Sequence, residues 1–436
     1  MLRLFSYIYF MNIKSLYTLF LKSNSVCTDT RNLKKNDIFF ALKGDNFNAN
    51  KFAKEALNKG ATYAIIDEAE YENKHTILVE DVLKTLQELA LHHRKQLNIP
   101  VIALTGSNGK TTTKELINAV LSQKFNTTAT AGNFNNHIGV PLTLLSMTNE
   151  TEIGIVEMGA NHQKEIEFLC NIVEPDYGLI TNFGKAHLEG FGGIEGVIKG
   201  KSELYEHLKR YNKTAFINSD DWKQVTQIGS YPSIITFGTK TDNNCIVAFK
   251  KADPYVELNY KNLVIKSKLI GQYNFGNIAS AIAVGDYFKI SPEKIKEAIE
   301  NYSPQNNRSE ILQIDNREII LDAYNANPTS MSAAINSFDK LNRPHKIAFL
   351  GDMFELGVDS TMEHQNIVDL VSDLDIDRVI FIGEDFSKTK LSSKKSEAFK
   401  TFNEFKNEFD FSKTANSTIL IKGSRGMALE RILEIL

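Results

Sequence analysis

Short runs of apolar residues alternate along the chain with stretches that repeat apolar positions every three to four residues, the signature of strands and helices in turn. IFFAL (38–42), FAKEALNKGA (52–61), TYAIID (62–67) and a helical pattern through Val82, Leu86 and Leu89 predict a compact α/β unit over residues 1–98. VIALTG, IGIVEMG, YGLITN, TAFIN and SIITFG then alternate with helical patterns. That order predicts a mainly parallel sheet over residues 99–305, with ligands expected at the carboxyl ends of its strands. Residues 243–272 read as hairpin-like strands, followed by a small-residue helix from Ile278 to Phe288. A third set (SEILQI, EIILDAY, HKIAFLGDM, RVIFIG, TILIKGS) predicts a Rossmann-like α/β domain over 306–436. It is expected to end on an amphipathic helix with Leu429, Ile432, Leu433 and Leu436 on one face. The Lys/Ser-rich segment 387–395 reads as a surface loop.

A chain of 436 residues exceeds what one core usually holds, in keeping with three domains. The net charge of -3 gives no reason to expect nucleic acid or an anionic membrane as a partner, so an anionic ligand must be caught locally. Three cysteines without metal-ligand spacing suit a reducing compartment, and the expected location is the cytoplasm. The first 23 residues are apolar and aromatic but broken by Arg3, Asn12 and Lys14, so membrane insertion is not expected. Residues 1–10 read as an extension upstream of Met11.

The stretch richest in chemistry is Thr105-Gly106-Ser107-Asn108-Gly109-Lys110-Thr111-Thr112-Thr113, between the apolar run Val101 to Leu104 and a helical pattern. A Gly-rich turn there aims backbone N–H groups and the helix dipole at one spot, where phosphates can sit. Lys110 would reach the outer phosphates and Thr111 would give a hydroxyl to Mg2+. Only two residues separate the glycines, against four in a strict Walker A; a plain strand-to-helix turn is the alternative. Glu157, Asn182 and the loop bearing Lys185, His187 and Glu189 all fall at or after strand ends. Thr30 and Arg31 sit in a polar loop that could hold a phosphate or a uracil edge, or be a solvated turn.

TGSNGKTTT, TAGNFNNHIGVPLTLL (130–145), IVEMGA (155–160), TNFGKAHLEGF (181–191), IKGKSELY (198–205) and GQYNFGN (271–277), in this order, resemble the Mur ligase family of ATP-dependent amide-forming ligases. DAYNANP (322–328), LGDMFELG (350–357) and KGSR (422–425) resemble the members that add D-alanyl-D-alanine. One departure is DNFNANKF after Lys43-Gly44, where many relatives carry an Asp-Gly-His triplet.

The resemblance implies a three-domain architecture with a central P-loop ATPase domain. It implies activation of a carboxylate by ATP as an acyl phosphate, with UDP-N-acetylmuramoyl-tripeptide as the acid and D-alanyl-D-alanine as the amine. In that reading Gly106, Ser107, Asn108, Gly109, Lys110, Thr111 and Thr112 bind ATP. Asn274 and Asn277 offer amide edges to adenine, with helix capping as the alternative. Arg308 and Asp322 meet ATP from the third domain. Thr111 and Glu157 hold one Mg2+; His187 serves a second, with Lys201 as a carbamate. Thr30, Arg31, Asn133, Asn135, Asn136, Asn325, Lys422 and Arg425 are the expected substrate contacts, the cluster Asn133, Asn135 and Asn136 having a plain loop and the last two a solvated helix start as alternatives. A monomer is expected. The rivals are a folylpolyglutamate synthase and a P-loop kinase.

Overall fold

The computed structural model describes residues 11–304 and 307–436; the extension expected at residues 1–10 and the domain boundary expected at 305 fall outside the described residues. The chain forms two compact bodies. One holds Met1–Ala103, Phe125–Met158 and Glu167–Asp176, and the other Leu104–Lys124, Gly159–Ile166 and Tyr177–Leu436.

In the first body a four-stranded parallel sheet runs Val26–Cys27, Ile38–Phe40, Tyr63–Ile66, Thr76–Leu78 in spatial order. Alternate residues Phe39, Ala41, Ala64 and Ile66 share one buried core with Ala49, Ala53 and Ala56. Small alanines let the short helix Ala53–Asn58 lie close to the sheet. Asp81 caps the helix Val82–Gln96 by accepting the Lys84 N–H at 2.8 Å. That helix packs on Ile13–Phe20 and on Gly139–Leu145. The same body contains the parallel pair Thr127–Ala129 and Ile153–Glu157.

Arg94 pins this body from inside. Its guanidinium donates to the carbonyls of Val173 (2.9 Å), Leu97 (3.2 Å), Ile99 (3.3 Å) and Glu174 (3.0 Å) and to Asp176 Oδ2 (2.8 Å). Only a planar five-donor fork serves so many acceptors at once. Arg94→Ala is expected to cost about 3 kcal/mol of unfolding free energy in a denaturant titration, because it takes the guanidinium from beside the Asp176 carboxylate and its donors from several carbonyls at once. Arg94→Lys should recover less than half.

In the second body the strands Tyr177–Ile180, Thr214–Asn218 and Ile234–Gly238 run parallel and pass into the antiparallel meander Cys245–Ala252, Tyr255–Tyr260, Leu263–Ile270. The Thr181 N–H donates to the Thr105 carbonyl at 2.9 Å and sets the end of Val101–Thr105 beside this sheet. The helices Lys110–Leu121 and Phe275–Tyr287 pack on each other; a Cβ at Gly285 would stand 2.5 Å from a Val120 methyl, so glycine permits the approach.

The same body carries a six-stranded sheet in the order Glu310–Ile314, Arg317–Asp322, Thr418–Lys422, Lys346–Gly351, Arg378–Ile382, Ser396–Phe399. All neighbours are parallel except the first pair. Ile319, Leu321, Phe349, Ile380, Ile419 and Ile421 cover one face and meet Phe405 and Phe409. Two expectations change here. The strand Ser396–Phe399 follows the Lys/Ser-rich loop and was not expected. The final amphipathic helix is instead a short 3-10 helix, Leu429–Glu434, entered through Ala428 at φ 47°. Three-residue winding puts Leu429 and Ile432 in the core, and leaves Leu433 and Leu436 only partly buried.

Candidate ATP and acyl-transfer site

Val101–Thr105 is fully buried and turns through Ser107 and Asn108 into the helix that starts at Lys110. Two glycines make the turn possible. A Cβ on Gly106, at φ +144°, would lie 2.0 Å from Thr181 Oγ1, and one on Gly109, at φ +76°, 2.4 Å from Asn277 Oδ1.

The loop is braced by the end of the next parallel strand. Ser107 N–H donates to the Asn182 carbonyl (3.0 Å) and Asn108 N–H to Asn182 Oδ1 (3.1 Å), while Asn182 Nδ2 and Thr181 Oγ1 donate to the Asn108 carbonyl (2.9 and 2.6 Å). The N–H groups of Ser107 and Asn108, expected to face phosphate, are thus held by Asn182. Ser107 Oγ donates to the Gly184 carbonyl (2.8 Å), and the Asn108 amide pairs with Asn327, whose Nδ2 donates to Asn108 Oδ1 at 2.6 Å. Lys110 Nζ folds back on its own loop, donating to the carbonyls of Gly106 (2.8 Å) and Ser107 (3.4 Å). Thr111 and Thr112 are buried in the first helical turn.

Asn274 and Asn277 do not offer open amide edges. Asn277 Nδ2 donates to Asn274 Oδ1 (2.8 Å), Asn277 Oδ1 accepts from Thr113 Oγ1 (3.1 Å), and Asn274 Nδ2 donates to the Ile270 carbonyl (2.8 Å). Asn274, at the N-cap of Phe275–Tyr287, makes no side-chain cap bond. Both asparagines are buried, and their amides brace the start of the loop's helix.

Glu157 ends its strand and is 1% exposed. Its N–H donates to Thr130 Oγ1 (2.9 Å), and its Oε1 accepts from Asn135 Nδ2 (2.8 Å). Asn135, expected to touch substrate, therefore aims this carboxylate. Asn136 Oδ1 accepts the N–H groups of Ile138 (3.1 Å) and Gly139 (2.9 Å), which makes it the turn residue that starts the next helix. Asn133 gives its carbonyl to the Asn135 N–H at 2.7 Å.

His187, at φ 52°, precedes the short helix Leu188–Phe191, and its Nδ1 meets the Glu355 carboxylate. The histidine holds the Glu355 carboxyl below its ordinary pKa. Lys201 lies inside the helix Ile194–Arg210 and is 1% exposed. Its Nζ donates to the Ala160 carbonyl (2.9 Å) and lies 5.0 Å from the Phe191 ring centre. Burial pushes this amine well below the usual lysine pKa, and the positive charge of Lys110 adds to the effect.

Asp322 ends its strand, accepting from Lys422 Nζ (2.6 Å) and Ser309 Oγ (3.2 Å). Lys422 also donates to the Asn325 carbonyl (3.2 Å). Lys422 is a buried strand-end residue that pins the 322–325 turn, not a solvated helix start. Arg425 is exposed, bonds Glu430 (2.8 Å), and its N–H donates to Asn325 Oδ1 (3.4 Å). Arg308 stacks on the Tyr324 ring, 3.4 Å from its centre. In the first body Arg31 forms an exposed fork on Asp29, holding that carboxyl at about 2, and the Thr30 carbonyl accepts from Lys59 Nζ (3.1 Å).

Sequence reasoning overlooked Thr181, Asn327, Glu355 and Ser424 as site residues. The first follows a buried strand directly and the others sit in polar turns after strands, a position that alone could have marked them.

A buried strand, a glycine-bent loop and a lysine at a helix start define a phosphate-binding ATPase core. The Mur ligase middle domain profile matches residues 104–285 and the Mur ligase glutamate ligase domain profile residues 307–425. The chain belongs to the Mur ligase family. It is 35% identical to the UDP-N-acetylmuramoyl-tripeptide--D-alanyl-D-alanine ligase of Bacillus subtilis (strain 168), across 94% of this chain and 92% of that one. Its structure is similar to that of MurF from Acinetobacter baumannii, with a TM-score of 0.85 at 31% identity over 94% of this chain and 92% of that chain. It is also similar to MurF ligase from Thermotoga maritima in complex with ADP, with a TM-score of 0.82 at 26% identity over 96% of this chain and 97% of that chain. The fold is α/β with the Mur ligase architecture.

Proposed function

We propose that the chain joins D-alanyl-D-alanine to UDP-N-acetylmuramoyl-tripeptide at the expense of ATP, giving the pentapeptide precursor of peptidoglycan, ADP and phosphate. The observation that carries this reading is the braced 105–113 loop with Lys110 at its helix start, in a chain 35% identical over 94% of its length to a ligase of that name. The folylpolyglutamate synthase and kinase readings are not favoured.

A carboxylate resists attack by an amine because it is anionic and its leaving group would be oxide. Transfer of the γ-phosphoryl group to a carboxylate oxygen breaks the β–γ bridge and gives an acyl phosphate and ADP. The dipeptide amine then attacks the acyl carbon, phosphate leaves with the C–O electrons, and the amine loses a proton. Lys110 neutralises charge on the transferring group once its Nζ turns from the Gly106 and Ser107 carbonyls to phosphate, and the brace from Asn182, Asn277 and Asn327 holds the loop backbone in place.

We assign Thr111 and Glu157 to Mg2+: each carries a hard oxygen, and Asn135 donates to one oxygen of Glu157. Mg2+ would neutralise phosphate charge. Lys201 fits a carbamate, since burial favours the neutral amine that reacts with CO2; with His187 it would serve a second Mg2+. We assign Arg308 and Asp322 to ATP, and Thr30, Arg31, Asn133, Asn325 and Arg425 to the peptide and nucleotide substrates. We further assign domains at 1–98, 99–305 and 306–436, a monomer, and a cytoplasmic location without nucleic-acid partners. No helix among the described residues is long and apolar enough to cross a membrane.

The test is phosphate release with ATP, Mg2+ and UDP-N-acetylmuramoyl-tripeptide, with and without D-alanyl-D-alanine. Release that rises at least about tenfold with the dipeptide, alongside pentapeptide product, is expected. Dipeptide-independent release would favour a kinase or simple ATPase.

A further inference from the structure

The segment Met353–Gly357 is held more tightly than a surface loop needs. Its Met353 N–H donates to His364 Nε2 at 3.0 Å, so that nitrogen carries no proton. His364 Nδ1–H then donates to the Ser360 carbonyl at 2.7 Å, and the ring lies fully buried with its edge against Phe386. The next N–H, of Phe354, donates to Ser424 Oγ at 2.9 Å, and the Ser424 N–H donates to the Asp352 carbonyl at 3.1 Å. The third residue is Glu355. It stands at φ +61°, a conformation an L residue adopts only when its surroundings impose it. Its carbonyl accepts the Glu189 N–H at 3.1 Å while its carboxylate meets His187 Nδ1. His187 is itself at φ +52°. Gly357, at φ +57°, completes the seat, since a Cβ there would come within 3.2 Å of the Glu189 side chain.

Two left-handed residues, from segments 168 positions apart, are thus brought face to face by bonds to both backbones. We infer that Glu355 is a positioning residue for the ligase reaction: it fixes the ring and the tautomer of His187, and the His364–Ser424 clamp holds it there. This inference rests on the reading of His187 as a ligand of the second Mg2+. A carboxylate can only accept, so Nδ1 carries a proton in this contact, and in the neutral ring Nε2 then keeps its lone pair for a cation or a substrate proton. An unaided imidazole would divide between tautomers and orientations. Carboxylates that orient a histidine in this way change affinity or rate by about 10- to 100-fold when removed from metal sites.

The experiment uses the full chain with Glu355→Ala, Glu355→Gln, His187→Ala and the His187→Ala/Glu355→Ala pair. Turnover is read as dipeptide-dependent phosphate release, and the tautomer by long-range 15N–1H spectra of histidine-labelled protein without substrates, with His187→Ala giving the assignment. Glu355→Ala is expected to lower kcat about 20-fold with the KM for ATP within about twofold. Glu355→Gln, whose amide oxygen still accepts from Nδ1–H, should recover to within about fivefold of the original. The double variant should be no slower than His187→Ala alone, because both changes remove one function. The spectra should show His187 protonated at Nδ1, and lose that signature in Glu355→Ala. An Nε2-protonated His187 in the unsubstituted chain, a Glu355→Ala kcat within twofold of it, or losses that multiply in the double variant would each overturn the inference. Absence of ligase turnover in the unsubstituted chain would sink the ligase reading instead, and the tautomer would still decide the Glu355–His187 contact.

Discussion

Lys110→Ala is expected to lower dipeptide-dependent turnover by about 100-fold or more while the unfolding midpoint stays close to that of the unsubstituted chain. The two halves of this result have separate causes. Lys110 Nζ donates to the carbonyls of Gly106 and Ser107, both in its own loop. The loop is shaped by Gly106, Gly109, Asn182 and Asn277, all of which remain. What disappears is a positive charge whose partner is the phosphoryl group in transfer, and a 100-fold loss corresponds to about 2.7 kcal/mol of transition-state stabilisation. Lys110→Arg should rescue poorly, since a planar fork cannot take the place of a compact ammonium in so closed a loop. Phosphate release, calorimetric binding of ADP and thermal unfolding measured together check it. Near-normal release by Lys110→Ala would mean that the 105–113 loop does not hold the reacting phosphate.

The strand, the loop and the helix of that site were legible because each leaves a local mark: an apolar run from Val101 to Leu104, glycines at the two positive-φ positions, and a threonine-rich helical start. Glu157 was legible for a similar reason, as an acid that closes an apolar strand. The long-range partners left no such mark. Asn277 reads from sequence as a helix-start amide, yet its carbonyl oxygen is taken by Thr113, 164 residues away. Lys422 stands beside Gly-Ser-Arg and so resembles a solvated turn, but its charge is neutralised by Asp322, 100 residues earlier. Glu355 sits in a motif assigned to no role, because only the fold brings it to His187. The terminal helix failed for a backbone reason: Ala428 takes a left-handed conformation, and the few residues left wind too tightly for a 3.6-residue apolar stripe to matter. Periodicity thus fixes where side chains stand along an element, whereas the use of a polar side chain is decided by whichever distant strand end meets it.

Lys201→Ala is expected to lower turnover by about 100-fold, and short-chain carboxylates such as acetate or formate should restore part of it. The helix that carries Lys201 also carries Lys199, and the two differ sharply in setting: Lys199 is exposed, whereas Lys201 is 1% exposed. Close packing seals the site, because a Cβ on Gly200 would stand 2.4 Å from the Phe191 ring. An ammonium there is opposed by burial first and by the charge of Lys110 second, with Glu165 and Glu203 acting weakly the other way. Burial favours the neutral amine, whose lone pair attacks CO2; loss of one proton then leaves a carbamate anion. The charge of Lys110 that disfavours the ammonium favours this anion. Burial opposes the anion as well, so the carbamate should persist only where a cation stands beside it, and hard carboxylate-like oxygens suit Mg2+. Since the neutral amine is the reactive form, carbamate occupancy should fall as pH is lowered, and turnover in CO2-depleted buffer should fall and return on addition of bicarbonate. Lys201→Met, which keeps the length and apolar stem of the side chain, separates lost chemistry from lost packing: it should fold normally and remain inactive without added carboxylate. Lys199→Ala should stay near the unsubstituted rate. Full activity in Lys201→Met would remove the carbamate and leave Lys201 as a buried amine that ties its helix to the Ala160 carbonyl.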